Sequence, residues 1–253
     1  MAHPDRDIAR SRDEWLRTPL GYYFDQRRKK LILDLLEPRE QERLLDVGCG
    51  TGHHLLFLRR KCGEVTGIDS SPGMLNIARE RLGARADLYQ GTPDDLPFSD
   101  NEFDIVTLLS FELCTDPRKT LGEAIRVCRG RVLVGAWNRY SLSNLHKRTH
   151  HPAFTGSGSS SIFEINRTAR KILADVPITW GSVIFFPLDW YFQAAALEEK
   201  IPVTKNPFGT FIGAVFPVVY THMTLQDPLK NSSKLKVSKG REAPGAVREG
   251  HHD

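Results

Sequence analysis

The residues with the clearest chemical potential are the turn Asp46-Val47-Gly48-Cys49-Gly50-Thr51-Gly52 and, further along, Asp69. A short apolar run, Leu44 to Val47, leads into the turn, and a helical stretch from about His53 to Lys61 leaves it. Glycines at such a place let the main chain bend tightly and approach a ligand closely. The helix that follows points free N–H groups and its positive dipole end into the loop, where a carboxylate or phosphate is stabilised. The alternative is a glycine turn that only packs a helix on a sheet. Asp69 closes the next apolar run; its two oxygens suit both hydroxyls of a ribose, or they cap the following helix, a role that Ser71 already fills. The dinucleotide fingerprint G-x-G-x-x-G needs glycine where His53 stands, and the phosphate loop G-x-x-x-x-G-K-[ST] is absent. Both facts argue against a nicotinamide- or flavin-dependent oxidoreductase, the rival enzyme class.

Other reactive groups are weaker signals. Glu112, just past the fourth strand, is a candidate general base or simply a solvated acid. Asn138, Arg139 and Tyr140 leave the fifth strand at its C-terminal end, where open parallel sheets bind ligands, and are candidate substrate contacts. His53 and His54 either touch a bound carboxylate or face solvent. His146, His150 and His151 have loose metal-like spacing without an accompanying acid or cysteine, so no metal site is expected. The four cysteines form no C-x-x-C pair and are expected reduced and mostly buried.

These groups need a scaffold. Residues 13–37 read as one helix with Phe24, Leu31, Ile32, Leu35 and Leu36 on a shared face. Strands are expected over 44–47, 65–68, 87–90, 103–109 and 131–136, the last apolar throughout and therefore central. Helices between them start at Ser71-Pro72 and Asp116-Pro117, and stop at Gly83 and Gly130. Alternation of this kind gives a mostly parallel sheet with helices on both faces. Beyond Asn138, residues 140–147 are expected helical, 150–160 a flexible loop, Ser161 to Glu164 a capping box, and 183–186 and 210–220 two further strands. Trp180, Phe185 and Trp190 are expected to pack in the core.

Charge sets the remaining bounds. The net charge of +4 is spread thinly, and clusters such as Arg27-Arg28-Lys29-Lys30 read as solvated helix faces, so no nucleic-acid partner is expected. No apolar run is long enough to span a membrane, and the polar N-terminal stretch does not resemble a signal peptide. The expectation is a cytoplasmic protein without stable membrane insertion, of undecided oligomeric state.

LLDVGCGTGHHLLFL, VTGIDSSPGML and QGTPDDLPFSDNEFDIVTLLS, in that order, resemble the class I, Rossmann-like S-adenosylmethionine-dependent methyltransferases. They are similar to the bacterial group that includes the ubiquinone and menaquinone methyltransferases. The resemblance covers about Thr18 to Asn138. It implies an α/β fold with a seven-stranded sheet whose last strand runs antiparallel. It places Asp46, Gly48, Gly50 and Gly52 beside the methionine part of S-adenosylmethionine, Asp69 at the ribose, and Ser70 and Met74 along the adenine. It also puts Thr92 and Pro93 at the adenine: relatives usually carry Asp where Thr92 stands, Thr92 can still accept the adenine amino hydrogen bond without charge, and since Pro93 has no N–H a neighbouring one must serve. Ser110 and Phe111 fall where methyl donor and acceptor meet. Tyr22 and Tyr23 belong to a region that covers the cofactor in similar enzymes, with plain packing as the alternative. Three segments follow: a helical lid or extension at 1–42, the methyltransferase domain at 43–226, and a disordered basic tail at 227–253. The implied activity is methyl transfer to a small or medium organic acceptor; a non-catalytic cofactor-binding protein or assembly partner is the alternative.

Overall fold

A computed structural model describes residues 4–141, 158–173, 175–187 and 190–218. Seven strands form one sheet: β1 (Arg43–Val47), β2 (Glu64–Asp69), β3 (Asp87–Gln90), β4 (Phe103–Leu108), β5 (Cys128–Trp137), β6 (Thr179–Val183) and β7 (Phe211–Pro217), in the order β3-β2-β1-β4-β5-β7-β6. All neighbours pair in parallel except β7, which is antiparallel to both β5 and β6. The order reverses between β1 and β4, and the crevice at the carboxyl ends of those strands is where such sheets bind ligands.

Side chains alternate across each strand, so each strand feeds two cores. Leu44, Val65, Ile105 and Leu133 pack on one face against helices α2 (Pro19–Leu36), α3 (His53–Leu58) and α4 (Pro72–Leu82). Leu45, Val106, Val132 and Val134 pack on the other against α5 (Pro117–Val127) and α6 (Ile162–Leu173). Helix starts follow the expected chemistry. Ser71 accepts the Met74 N–H, Asp116 accepts those of Arg118 and Lys119, and Ser161 and Glu164 close a reciprocal capping box.

Several elements differ from the sequence expectation. The first helix is two: α1 (Pro4–Arg17) and α2. Thr18 interrupts them, its hydroxyl donating to the Trp15 carbonyl and accepting the Gly21 N–H, with Pro19 opening α2. The chain folds back so tightly that a Cβ on Gly21 would stand 2.0 Å from the Trp15 oxygen. α5 ends at Val127 and Cys128 already belongs to β5, because strand pairing to Phe103 captures it. The strand expected at 183–186 is β6 at Thr179–Val183; Ile184, at φ 68°, turns the chain out of the sheet, and the apolar run beyond it is buried as irregular chain. A helix not expected, α7 (Tyr191–Glu198), follows, and Trp190 at its start is exposed rather than in the core. The expected helix at 140–147, most of the loop at 150–160 and the tail at 227–253 lie outside the described residues.

Candidate active site

The carboxyl ends of β1, β2 and β4 open on a cavity of about 310 Å³. Gly48 and Gly50 form its floor at φ 75° and 54°, and a Cβ on either would project into open space. Gly52 also has positive φ, at 72°, yet a Cβ there would lie 2.6 Å from Leu82 Cδ1, so this glycine is needed for packing α3 on α4 and does not line the cavity. Asp69 ties the floor together. Its Oδ2 accepts the Gly50 N–H at 2.8 Å and its Oδ1 accepts the Ser71 N–H at 2.9 Å. Each carboxylate oxygen retains acceptor capacity toward the cavity it lines.

Asp46 lies beneath the floor rather than on it. It is buried; Oδ1 accepts the Thr107 hydroxyl at 2.7 Å and Oδ2 has no partner among the described residues. Burial pushes its carboxyl up to about 7, against the opposing pull of the Thr107 hydrogen bond. Ser70, Met74, Gly91 and Pro93 form the wall beyond Asp69. Thr92 is not part of that wall; its carbonyl accepts the Asp95 N–H in a tight turn. Ser110, Phe111, Leu113 and Cys114 make the wall at the end of β4.

Glu112 comes from that same short turn but is absent from the lining. Its Oε2 accepts the Trp137 N–H at 3.3 Å, joining the ends of β4 and β5, and burial raises its carboxyl to about 7. Asn138 is buried with both amide hydrogens spent on the Pro207 and Gly209 carbonyls, and its oxygen accepts the Tyr140 N–H. It fastens the β5 exit to the start of β7 and has no hydrogen left for a substrate. Arg139 is exposed and paired with Glu164 at 2.7 Å, and Tyr140 lies on the surface edge-on to Phe163. Tyr22 is exposed, and neither it nor Tyr23 lines the cavity. His53 bonds Asp25 at 2.9 Å and His54 is buried behind it, so neither histidine takes the cavity role or the solvent role considered from sequence.

The fourth wall is built from residues that the sequence reading did not single out. Ile8, Ala9 and Arg12 stand on one face of α1 and close the cavity, joined by Thr51 from the loop. α1 is anchored there by Arg81 of α4, which donates to Asp13 at 2.5 Å and to the Thr51 hydroxyl at 2.7 Å. The i, i+1, i+4 spacing of Ile8, Ala9 and Arg12 is the one sequence signal that this face points at a common object.

Residues 44–130 match the family described as a methyltransferase domain. They contain every cavity-lining residue just described except those of α1. Residues 44–130 form a methyltransferase domain of the class I type. Demethylmenaquinone methyltransferase of Thermotoga maritima is 35% identical over 120 residues, 46% of this chain and 52% of that protein. Malonyl-[acyl-carrier protein] O-methyltransferase of Serratia marcescens is 39% identical over 107 residues, 41% of this chain and 42% of that protein. The chain thus spans about half the length of the curated relatives it matches. A Thermotoga maritima structure, an S-adenosylmethionine-dependent methyltransferase titled as a possible histamine N-methyltransferase, shares the fold with TM-score 0.66 at 20% identity, covering 85% of this chain and 97% of that one.

The methyltransferase domain suits S-adenosylmethionine on observations of its own. The cradle at Gly48 and Gly50 leaves open space where side chains would stand, and a carboxylate with spare acceptor capacity stands at the end of β2. Among the described residues no helix is long and apolar enough to cross a membrane.

Proposed function

We propose that this chain transfers a methyl group from S-adenosylmethionine to a small or medium organic acceptor. The observation that carries the reading is Asp69, fixed by two main-chain N–H groups at the mouth of a glycine cradle and facing the cavity. In this reading Asp69 holds the ribose, Ser70, Met74 and Pro93 bound the adenine, and Gly48 and Gly50 give the amino-acid end room. Asp46 and Gly52 act one layer down, as support for the floor. The cofactor supplies an activated methyl carbon, and the protein's share is alignment and exclusion of water.

The chemistry of the walls narrows the acceptor. Among the described lining residues the ionisable side chains are Arg12, Asp69 and Cys114, and burial pushes the Cys114 thiol up to about 11. None is a base at neutral pH beside Ser110 and Phe111. The acceptor therefore brings its own nucleophile: a carboxylate, an unprotonated amine or an electron-rich carbon. Glu112 is placed to steady the ends of β4 and β5 and is assigned a positioning role. A cavity of about 310 Å³ suits a small molecule better than a nucleic acid. The named relatives act on different acceptors, so the choice among these nucleophiles is left to experiment.

The test is incubation with methyl-labelled S-adenosylmethionine and fractionated small molecules. Label recovered in an organic acceptor, with stoichiometric S-adenosylhomocysteine, is the expected result. Tight S-adenosylhomocysteine binding with no label transfer to any fraction would instead mark a non-catalytic cofactor-binding protein.

A further inference from the structure

Arg12 presents an unbalanced charge to the cavity. Three charged residues near it on α1 are engaged: Arg6 with Glu80, Arg10 with Glu14, and Asp13 with Arg81. Arg12 lines the cavity, and among the described residues no hydrogen bond or ion pair reaches its guanidinium. Three acids act on it through space, Glu112, Asp25 and Asp13. Each is committed elsewhere: Glu112 to the Trp137 N–H, Asp25 to Arg28, Lys29 and His53, and Asp13 to Arg81. A second guanidinium, Arg28, adds to the excess from behind, fully buried against the Phe24 and Phe211 rings with its Nε unpartnered. Burial and the neighbouring charge lower the proton affinity of both arginines. A cation held partly out of water without a partner is costly, and an anionic ligand removes the cost.

The position of Arg12 selects which anion. Asp13, its chain neighbour, is joined through Arg81 to Thr51, next to the Gly50 cradle. The adenine wall of Ser70, Met74 and Pro93 lies beyond Asp69, on the other side of that cradle. We propose that Arg12 binds the carboxylate of the cofactor's amino-acid end and so fastens α1 over the bound cofactor. This rests on the cofactor reading above. The planar guanidinium gives a bidentate fit to a carboxylate, and α1 becomes an element whose docking depends on the chemical integrity of the ligand.

The experiment compares S-adenosylhomocysteine with 5′-methylthioadenosine, which keeps adenine, ribose and thioether but lacks the amino-acid end. Titration calorimetry is run on the wild type, Arg12→Ala, Arg12→Lys and Asp69→Ala. Arg12→Ala is expected to weaken S-adenosylhomocysteine on the order of 10- to 100-fold and to leave 5′-methylthioadenosine unchanged, with Arg12→Lys between. Asp69→Ala weakens both ligands. Hydrogen exchange should show residues 4–17 protected by S-adenosylhomocysteine and not by 5′-methylthioadenosine. An equal loss of both ligands in folded Arg12→Ala protein overturns the proposal, because Arg12 then only shapes the wall. Unchanged S-adenosylhomocysteine affinity, with or without a raised KM for the acceptor, also overturns it, while binding by the wild type keeps the cofactor reading intact. A wild type that binds neither ligand sinks both.

Discussion

On the sheet side of the cavity, Asp69 gathers the Gly50 and Ser71 N–H groups, so its carboxylate is fixed by main-chain donors of two turns. On the covering side, the polar ties of α1 are side-chain pairs, Arg81 to Asp13 and Thr51 and the looser Arg6 to Glu80, all at least partly exposed, while Trp15 near its end is buried against Phe24. The first arrangement is rigid and cheap to specify in a short stretch of sequence. Away from Trp15 the second is weaker, because part-exposed ion pairs contribute little. A rigid half that recognises and a loosely held half that closes is a sensible division for a site that must admit cofactor and release product.

The comparison breaks most sharply at Asp69. Asp69→Ala removes the ribose partner and also frees two main-chain donors of the floor. Cofactor-product affinity should fall roughly 30- to 1000-fold, or about 2–4 kcal/mol. Asp69→Asn is no gentle intermediate, since its NH₂ group must face one of the two N–H donors. Calorimetry giving equal affinities for all three folded proteins would remove the ribose assignment.

Two glycines separate recognition from packing within the sheet side. Gly52→Ala combines positive φ with a 2.6 Å approach to Leu82, so stability should drop about 2–4 kcal/mol in urea unfolding. Gly48→Ala meets open space and should cost only about 1 kcal/mol of stability, while its methyl group intrudes on ligand binding. If Gly48→Ala proves the more destabilising of the two, the division between cradle and packing glycine is wrong.

Asp46 gives a pH signature. Its folded carboxyl titrates near 7, above the usual carboxylate value, so the native state holds a proton that the unfolded chain has lost. Stability from this group is full below about pH 4 and is lost as pH rises toward 7. Asp46→Asn should flatten that decline, the difference from wild type growing by about 1 kcal/mol per pH unit across the window. Parallel profiles for the two proteins would mean that Asp46 is ionised in the native state.

The smallest effect is expected on the covering side. Arg81→Ala removes the α1 anchor and should cost about 1 kcal/mol or less globally. Hydrogen exchange in residues 4–17 should nonetheless quicken, with the sheet unaffected. Uniform loss of protection throughout the domain would show that α1 is part of the core cooperative unit.

This division also explains what could be read from the sequence. The loop and the caps at Ser71, Asp116 and Ser161 depend on neighbours within a few residues, and Asp69 stood out by its place at the end of an apolar run. The strand pattern through β5 was legible for the same reason. Arg12 was missed because its setting depends on Arg81 and Glu112, remote in sequence. Asn138 was misjudged because its partners, Pro207 and Gly209, arrive with β7. The break at Thr18 was hidden because Pro19 suits the first turn of a helix as well as it interrupts one. β6 was displaced because burial alone makes residues 183–186 apolar, and periodicity does not distinguish a buried strand from buried irregular chain.

The measurement that bears most directly on the cavity's identity is titration calorimetry of the wild-type protein with S-adenosylhomocysteine, repeated in the presence of excess NAD⁺. The account predicts one saturable site for S-adenosylhomocysteine per chain, undisturbed by the dinucleotide. Saturable binding of NAD⁺ with no heat from S-adenosylhomocysteine would contradict it.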